Sequence, residues 1–197
     1  MPPSPETLSP ETILEKLKGR FPDKITCHGS AAVIDREHVL PILGFLKEEP
    51  AFDFNVLADV TVVDHAQLDL PEIGERFAVI YQLYSLAKNH RFQVKARVSE
   101  DDPTAPSVCD LWRSALWGER EAHDMYGVEF EGNPDLRRLL MPEDFPGFPL
   151  RKDYPLHGRG ERDAFPQYRP RTGTGGSAAE PTTDRTGEAS SRVGGAP

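Results

Sequence analysis

Four titratable side chains lie close together and form the group in this sequence best suited to acid–base chemistry: Glu119, Glu121, His123 and Asp124. On a helix, residues four apart share a face, so Glu119 would lie beside His123, where a carboxylate and an imidazole can exchange protons near neutral pH. The same spacing places Arg120 beside Asp124, where it would neutralise a carboxylate acting as a base. The pattern therefore favours a lattice of ion pairs over an active site.

A second charged group follows in a proline-rich segment, where basic residues alternate with the aromatic rings of Phe145 and Phe148. Arginine recognises carboxylates through paired hydrogen bonds, and arginine and aromatic side chains dominate binding energy at protein interfaces. The segment is predicted to grip another protein. The alternative is a solvated arm folded back onto its own domain. The group consists of Arg137, Arg138, Arg151, Lys152, Asp153 and Tyr154.

Motifs for metal, phosphate and nucleophilic chemistry are missing from the sequence. The six histidines never fall at HxxxH or HxH spacing, and Cys27 and Cys109 stand alone, whereas an iron–sulfur cluster needs about four thiolates. The glycine-rich stretches 158–160 and 173–176 do not connect a strand to a helix, as a phosphate-binding loop does. No serine has a G-x-S-x-G context. We therefore expect no catalytic, cofactor-binding or metal-binding residue on this chain.

Three helices are predicted ahead of the proline-rich segment. Ser9 and Pro10 cap the first, because proline lacks only an N–H that the first turn leaves unpaired. Apolar spacing predicts a second helix over 39–46. Ser107, three residues before Asp110, resembles a capping box and predicts the start of a third helix, whose pattern breaks after Gly127.

Four strands are predicted, and the last of them alternates apolar and polar residues so that one face is wet. A short link joins it to the preceding strand as an antiparallel hairpin. The predicted fold class is α+β over residues 1–130, with an antiparallel or mixed sheet and helices on one face. The strands are 31–35, 54–63, 76–86 and 91–99.

Two further regions are predicted beyond this domain. Prolines prevent long helices after it, so residues 131–170 are expected to form a long extended arm that wraps a partner. Residues 171–197 contain no aromatic residue and consist mostly of small, polar and charged residues. They bury too little apolar surface to offset the entropy of ordering, which predicts a disordered tail.

The charge balance restricts the class of partner. With 32 acidic and 23 basic residues, the net charge of −9 argues against general nucleic-acid binding. No apolar run approaches the roughly 18 residues of a membrane span, and the N-terminus lacks the pattern of a secretory signal. Membrane contact is therefore expected only through partners, and the two cysteines are expected to be free thiols.

Both charged groups lie within a run that resembles a known family. WGERE (117–121), DMYGV (124–128), PDLRRLL (134–140) and GFPLRKDYPL (147–156) resemble the signature of the thirty-kilodalton (C-type) subunit of the proton-pumping NADH:quinone oxidoreductase, respiratory complex I. The resemblance covers about 13–155. Asn133 and Phe148 stand where the family usually has histidine, and their presence is expected to remove two polar contacts.

The resemblance implies a peripheral subunit on the cytoplasmic face of the bacterial inner membrane, docked on the large subunit that walls the quinone cavity. It implies no redox centre here: NADH, FMN, iron–sulfur clusters and quinone would belong to the rest of the complex, which couples electron transfer to proton translocation. The residues that would carry the interface and its structural signature are Glu119, Arg120, Glu121, Asp124, Arg137, Arg138, Arg151, Lys152, Asp153 and Tyr154.

Three alternatives remain open at the level of the sequence. The chain could be the equivalent subunit of a related membrane-bound hydrogenase-type complex, which would change the electron donor and keep the assembly role. A free-standing enzyme would use Glu119, His123 and Asp124 as acid–base groups and would show a bell-shaped pH profile. A soluble adaptor would share the interface behaviour without an oxidoreductase partner.

Overall fold

The computed structural model describes residues 7–68 and 73–161, and the predicted tail and the end of the predicted arm lie outside this part of the chain. The described helices are α1 (Pro10–Arg20), α2 (Val39–Glu48) and α3 (Ala115–Tyr126), with a short 3₁₀ turn at Arg36–His38. The described strands are β1 (Thr26–His28), β2 (Ala31–Asp35), β3 (Val56–Asp64), β4 (Phe77–Ser85), β5 (His90–Val98), β6 (Thr104–Pro106) and β7 (Glu129–Glu131).

Five strands form one mixed sheet in the order β1-β2-β5-β4-β3, and β6 and β7 form a separate parallel pair. β2 runs parallel to β5, whereas the other neighbours in the large sheet are antiparallel. The predicted hairpin is confirmed, since Ser85 at the end of β4 faces His90 at the start of β5. The fold is therefore α+β with a mixed sheet, as the sequence predicted.

The helices lie over one face of the sheet. Alternate strand residues point to opposite sides, so each face of the sheet has its own set of side chains. Val79 and Tyr81 of β4 belong to a large buried cluster that includes residues of all three helices. The opposite face carries a much smaller buried cluster, which consists of Val33, Ile73, Ala78 and Ile80. The main core thus lies between the sheet and the helices, and α3 packs over the edge strand β3.

Nearby residues explain the start of α1 and the end of α3, but the predicted start of α3 is different from the observed one. Ser9 caps α1 by accepting a hydrogen bond from the Thr12 N–H, and Gly127 ends α3 in the left-handed region with a φ of 74°. The capping box predicted at Ser107 is wrong: turns precede Ala115, where α3 begins. The Ser107 hydroxyl instead donates to the Glu119 carboxylate at 2.7 Å, so a side chain of α3 engages it.

Candidate functional site

The site is built on α3, which lies unusually close to the sheet. A Cβ at Gly118 would lie 3.1 Å from both Cβ and the carbonyl oxygen of Val60, so only glycine lets the helix approach β3 this closely. On the remaining faces, α3 buries three charged residues: Glu119 and Asp124 are fully buried and Arg120 is 8% exposed. Charged side chains are almost never buried unless they are paired, so their partners define the site.

The Glu119 carboxylate connects α3 to the turn before it and to the segment after β7. One oxygen accepts the Val108 N–H at 2.7 Å, and the other accepts the Ser107 hydroxyl at 2.7 Å and the Asn133 side-chain amide at 2.8 Å. The Glu119–His123 pair that the spacing allowed does not form, because the His123 ring faces the Val128 carbonyl at 3.1 Å. Glu119 therefore fixes backbone and is not paired with an imidazole.

The Asp124 carboxylate holds three consecutive backbone N–H groups of the following segment. Its Oδ2 accepts hydrogen bonds from residues 139, 140 and 141 at 3.0, 2.7 and 2.8 Å, and its Oδ1 accepts one from Arg138 at 2.9 Å. Burial by itself would raise the pKa of Asp124, but these four donors hold it below its ordinary value. The charged form of Asp124 is thus part of the folded structure.

Arg120 also binds this segment, and the expected Arg120–Asp124 pair is wrong. Its guanidinium donates to the carbonyls of Arg137 at 2.9 Å and Arg138 at 3.0 Å, and it reaches Asp135 at 3.4 Å. Asp124 and Arg120 lie four apart on one face, as predicted, but both turn to the chain that crosses them. The sequence predicted the charged face correctly and paired its members incorrectly.

Arg138 supplies the cation that Asp124 needs. Besides this ion pair, its guanidinium donates to the carbonyls of Phe145 at 3.1 Å and Gly147 at 3.2 Å. The aromatic rings of Phe145 and Phe148 lie 5.9 and 5.5 Å from it. One guanidinium therefore closes the loop from 138 to 148 and neutralises a buried charge.

A second network, centred on Asp64 at the end of β3, holds the chain farther along. Its fully buried carboxylate accepts the Lys152 N–H at 2.8 Å and pairs with Arg76 at 3.0 Å. Burial opposes ionisation of Asp64, but the Arg76 guanidinium and two backbone N–H groups hold its pKa below the ordinary value. Arg76 also pairs with Asp153 at 3.2 Å and with Glu100.

Arg151 lies between the two networks without a carboxylate of its own among the described ion pairs. Its Nε donates to the Tyr126 carbonyl at 2.6 Å, and its guanidinium lies 4.7 Å from the ring of Phe148 and 5.1 Å from that of Phe77. Burial lowers the pKa of Arg151 below the ordinary value of arginine. Cation–π contacts and the end of α3 therefore hold this residue in place.

The remaining predicted residues are peripheral to these networks. Glu121 is exposed, the Lys152 side chain is exposed, and Arg137 pairs with Asp135 at the surface. The Tyr154 ring packs 6.0 Å from that of Phe145. Of the ten predicted residues, the structure brings Glu119, Arg120, Asp124, Arg138 and Arg151 together around α3. Their predicted role in an interface stays a prediction.

Residues outside the ten predicted ones complete the site: Asp64, Arg76, Ser107, Asn133 and Asp135. Of these, the sequence analysis had noted Ser107 and Asn133, but not as partners of a buried carboxylate. The sequence held a signal for Asp64 and Arg76. Asp64 directly follows the predicted strand 54–63 and Arg76 begins the predicted strand 76–86, so the two residues are neighbours when these strands are antiparallel. The expectation that Asn133 offers no polar contact is wrong, because its amide donates to Glu119 and accepts from the Asp135 N–H at 2.9 Å. Phe148 instead makes apolar and cation–π contacts.

The arrangement fixes backbone rather than presenting a reactive group. The oxygens of the buried carboxylates of Glu119, Asp124 and Asp64 all accept hydrogen bonds from this same chain. Within residues 7–68 and 73–161, no three His, Cys, Asp or Glu side chains are grouped so as to hold a metal ion. No helix of this part of the chain is long and apolar enough to cross a membrane.

Comparison with known proteins identifies the family of this chain. The profile of the family described as "Respiratory-chain NADH dehydrogenase, 30 Kd subunit" matches residues 32–160, which include the whole of α3 and both charged networks. The chain belongs to this family. The resemblance seen in the sequence is thereby confirmed.

Individual relatives extend the match. The chain is 45% identical over 153 residues to the second C-type subunit of the NADH-quinone oxidoreductase of Rhizobium etli, covering 77% of this chain and 79% of that protein. It is 43% identical over 150 residues to the C-type NADH-quinone oxidoreductase subunit of Hyphomonas neptunium, covering 74% and 71%. This subunit family thus accounts for most of the chain.

Two solved structures share the fold. A trypsin-resistant fragment of Nqo5, residues 1–134, is 37% identical with a TM-score of 0.56, covering 66% of this chain and all of that one. A chain of the membrane-bound sulfane sulfur reductase, an archaeal respiratory membrane complex, has a TM-score of 0.55 over 74% of this chain and 85% of that one. Its identity is 24%, so this second match shows the fold alone.

Proposed function

We propose that this chain is a non-redox subunit of the peripheral arm of an NADH–quinone oxidoreductase and that it docks on the large subunit that walls the quinone cavity. In that position it supports electron transfer from NADH to quinone, coupled to proton translocation. The single observation that carries the proposal is family membership over residues 32–160, because that range contains the described elements that build the site.

The geometry supports a docking role because the buried charges hold the segment after α3 in one conformation. A segment ordered before binding loses less conformational entropy when a partner arrives. The surface that results is rich in interface-type side chains: Leu140 is 57% exposed, Leu150 is 49% exposed and the Arg137 side chain is 72% exposed. Exposed apolar and arginine side chains are typical of protein interfaces.

The same geometry disfavours a free-standing acid–base enzyme built on α3. A general base needs an accessible lone pair near its substrate. The oxygens of Glu119 and Asp124 are buried and accept hydrogen bonds from this chain, and the His123 ring faces a backbone carbonyl. We therefore propose that the chain contributes structure and not catalysis, and that NADH, FMN, iron–sulfur clusters and quinone bind to other subunits of the complex.

The proposed location is the cytoplasmic face of the bacterial inner membrane, with membrane contact only through partner subunits. The test is gentle detergent extraction of native membranes that carry the tagged chain, followed by identification of co-purifying subunits and assay of NADH:quinone activity. Recovery of the large subunit with activity supports the proposal. Recovery with subunits of another respiratory complex would change the electron donor, and recovery of the chain alone would contradict the proposal.

Arg151→Ala tests whether the fixed segment matters for assembly. The change removes the hydrogen bond to the Tyr126 carbonyl and two ring contacts, and we expect it to reduce the amount of complex while each assembled complex keeps its turnover. Lys152→Ala is the matched control, because the Lys152 side chain is exposed and its contact with Asp64 uses the backbone N–H. Normal complex content without quinone reduction in Arg151→Ala would contradict a role in assembly.

A further inference from the structure

A small groove lies between the beginning of β3 and the first turns of α3, next to the charged network around Asp124 and Arg120. Its volume is about 210 Å³, and its lining includes Val60, Gly118 and Leu139. A shift of register between Leu57 and Asp59 interrupts the β3–β4 pairing at this point, and Ala58 and Asp59 are exposed. The outer edge of the sheet therefore opens into this groove.

One wall of the groove is Trp117, the largest exposed apolar side chain of the described residues. The chain has two tryptophans: Trp112 is 5% exposed and donates its indole N–H to the Phe54 carbonyl, whereas Trp117 is 57% exposed. A tryptophan left half in water is typical of the centre of an interface, where it contributes much of the binding energy. Leu140, which follows Leu139, is also 57% exposed and extends the apolar surface.

The rim of the groove carries negative charge that nothing in the described chain neutralises by contact. The Asp59 and Glu121 side chains both line the groove, and neither carboxylate makes a hydrogen bond or an ion pair with a side chain or backbone group within residues 7–68 and 73–161. The nearby Arg120 guanidinium lies 5.1 Å from the Trp117 ring, but its N–H groups are directed to the 137–138 carbonyls and Asp135. A groove that is lined by an aromatic ring and by two carboxylates without a partner in the described residues favours a cation.

We propose that this Trp117 groove receives an arginine side chain from a neighbouring subunit of the oxidoreductase complex. Arginine fits better than lysine because its planar guanidinium stacks on an indole face and binds carboxylates through paired hydrogen bonds. Its aliphatic stem would cover the apolar side chains of Val60 and Leu139 in the lining. The inference rests on the proposed function, since it requires that the chain sits in a complex.

Charge reversal in the assembled complex tests the groove. The double variant Asp59→Lys with Glu121→Lys replaces attraction by repulsion, and we expect about tenfold less chain retained with the membrane complex after a salt wash. The matched control is Glu129→Lys with Asp144→Lys, which reverses two exposed acids outside the groove. The thermal unfolding midpoint of each isolated variant shows whether the chain still folds.

A second measurement identifies the occupant directly. With p-benzoylphenylalanine in place of Trp117, irradiation of the intact complex is expected to join this position to a peptide of another subunit that contains arginine. Cross-links confined to this chain, to lipid or to peptides without arginine would overturn the inference. Equal retention of the double variant and its control would also overturn the inference. In that case the proposed function still stands if the wild-type chain brings down oxidoreductase subunits. If the wild-type chain brings down none, both fail.

Discussion

Gly127 shows how a single residue controls the junction between α3 and the segment after it. Its φ of 74° is unfavourable for a side chain, and an added Cβ would lie 2.5 Å from Cε2 of Phe148 and 2.8 Å from Nη2 of Arg151. The backbone strain is worth about 1–2 kcal/mol and the overpacking about 1–3 kcal/mol. We expect Gly127→Ala to lower the free energy of unfolding by about 2–5 kcal/mol, measured by urea titration.

Gly19→Ala is the control for this prediction. Gly19 lies in α1, and an added Cβ there would meet no atom within 4 Å. Alanine is favoured over glycine in a helix by about 1 kcal/mol, so this variant is expected to be neutral or more stable. Equal destabilisation of both variants would mean that the contacts of Gly127 are not the cause.

Cys109 gives a second prediction at the scale of the residue. Burial raises the pKa of its thiol to about 11, and the neighbouring Glu119 carboxylate acts in the same direction. Since the thiolate is the reactive form, little of it exists near neutral pH. We expect iodoacetamide at pH 8 to leave Cys109 unmodified in the folded chain and to modify it fully in guanidinium, as read by peptide mass spectrometry. Rapid modification in the folded state would contradict this.

At the scale of elements, Asp124 joins α3 to the segment 138–141, and this connection depends on pH. The pKa of Asp124 is lower in the folded chain than the value of about 3.9 for an unfolded aspartate. The unfolded state therefore binds the proton first as pH falls. Stability is fully present above about pH 5 and is lost as the pH drops towards the folded pKa. The depressed pKa of Asp64 adds to the same trend.

Asp124→Asn tests that account. The asparagine amide places an N–H₂ group where other donors converge, and it leaves the buried Arg138 without its negative partner. Loss of one partner of a buried ion pair typically lowers the free energy of unfolding by about 3–5 kcal/mol. The difference in unfolding free energy between pH 7 and pH 3 is expected to shrink in this variant. Asp144→Asn, which changes an exposed acid, is expected to leave both stability and its pH dependence unchanged. An unaltered pH dependence in Asp124→Asn would exclude Asp124 as its source.

At the scale of the whole molecule, the division into a domain and a tail remains to be tested. The sequence predicts that residues 171–197 are disordered, and they lie outside the described part of the chain. Limited trypsin digestion is expected to cut first at Arg171, Arg185 and Arg192, while the described domain resists for longer. Intact-mass analysis would locate the cuts. Early cleavage within α3 or β5, before any cut in the tail, would contradict this division.

The structural features that depend on neighbours along the chain could be predicted from the sequence alone. The Ser9 cap of α1, the apolar face of α2, the β4–β5 hairpin and the end of α3 at Gly127 each follow from residues a few positions apart. The family resemblance is also a property of the sequence, because it rests on uninterrupted runs of residues. The charged face of α3 was visible in the same way, from the spacing of Glu119, Arg120 and Asp124.

The partners of these charges depend on packing between distant parts of the chain. Asp124 pairs with Arg138 and not with its helical neighbour, and Asp64 binds the N–H of Lys152, 88 positions away. Spacing along one element says which side chains share a face, but it does not say which distant backbone crosses that face. A buried carboxylate takes the donors that packing brings to it, because leaving its charge uncompensated would be more unfavourable than any local preference.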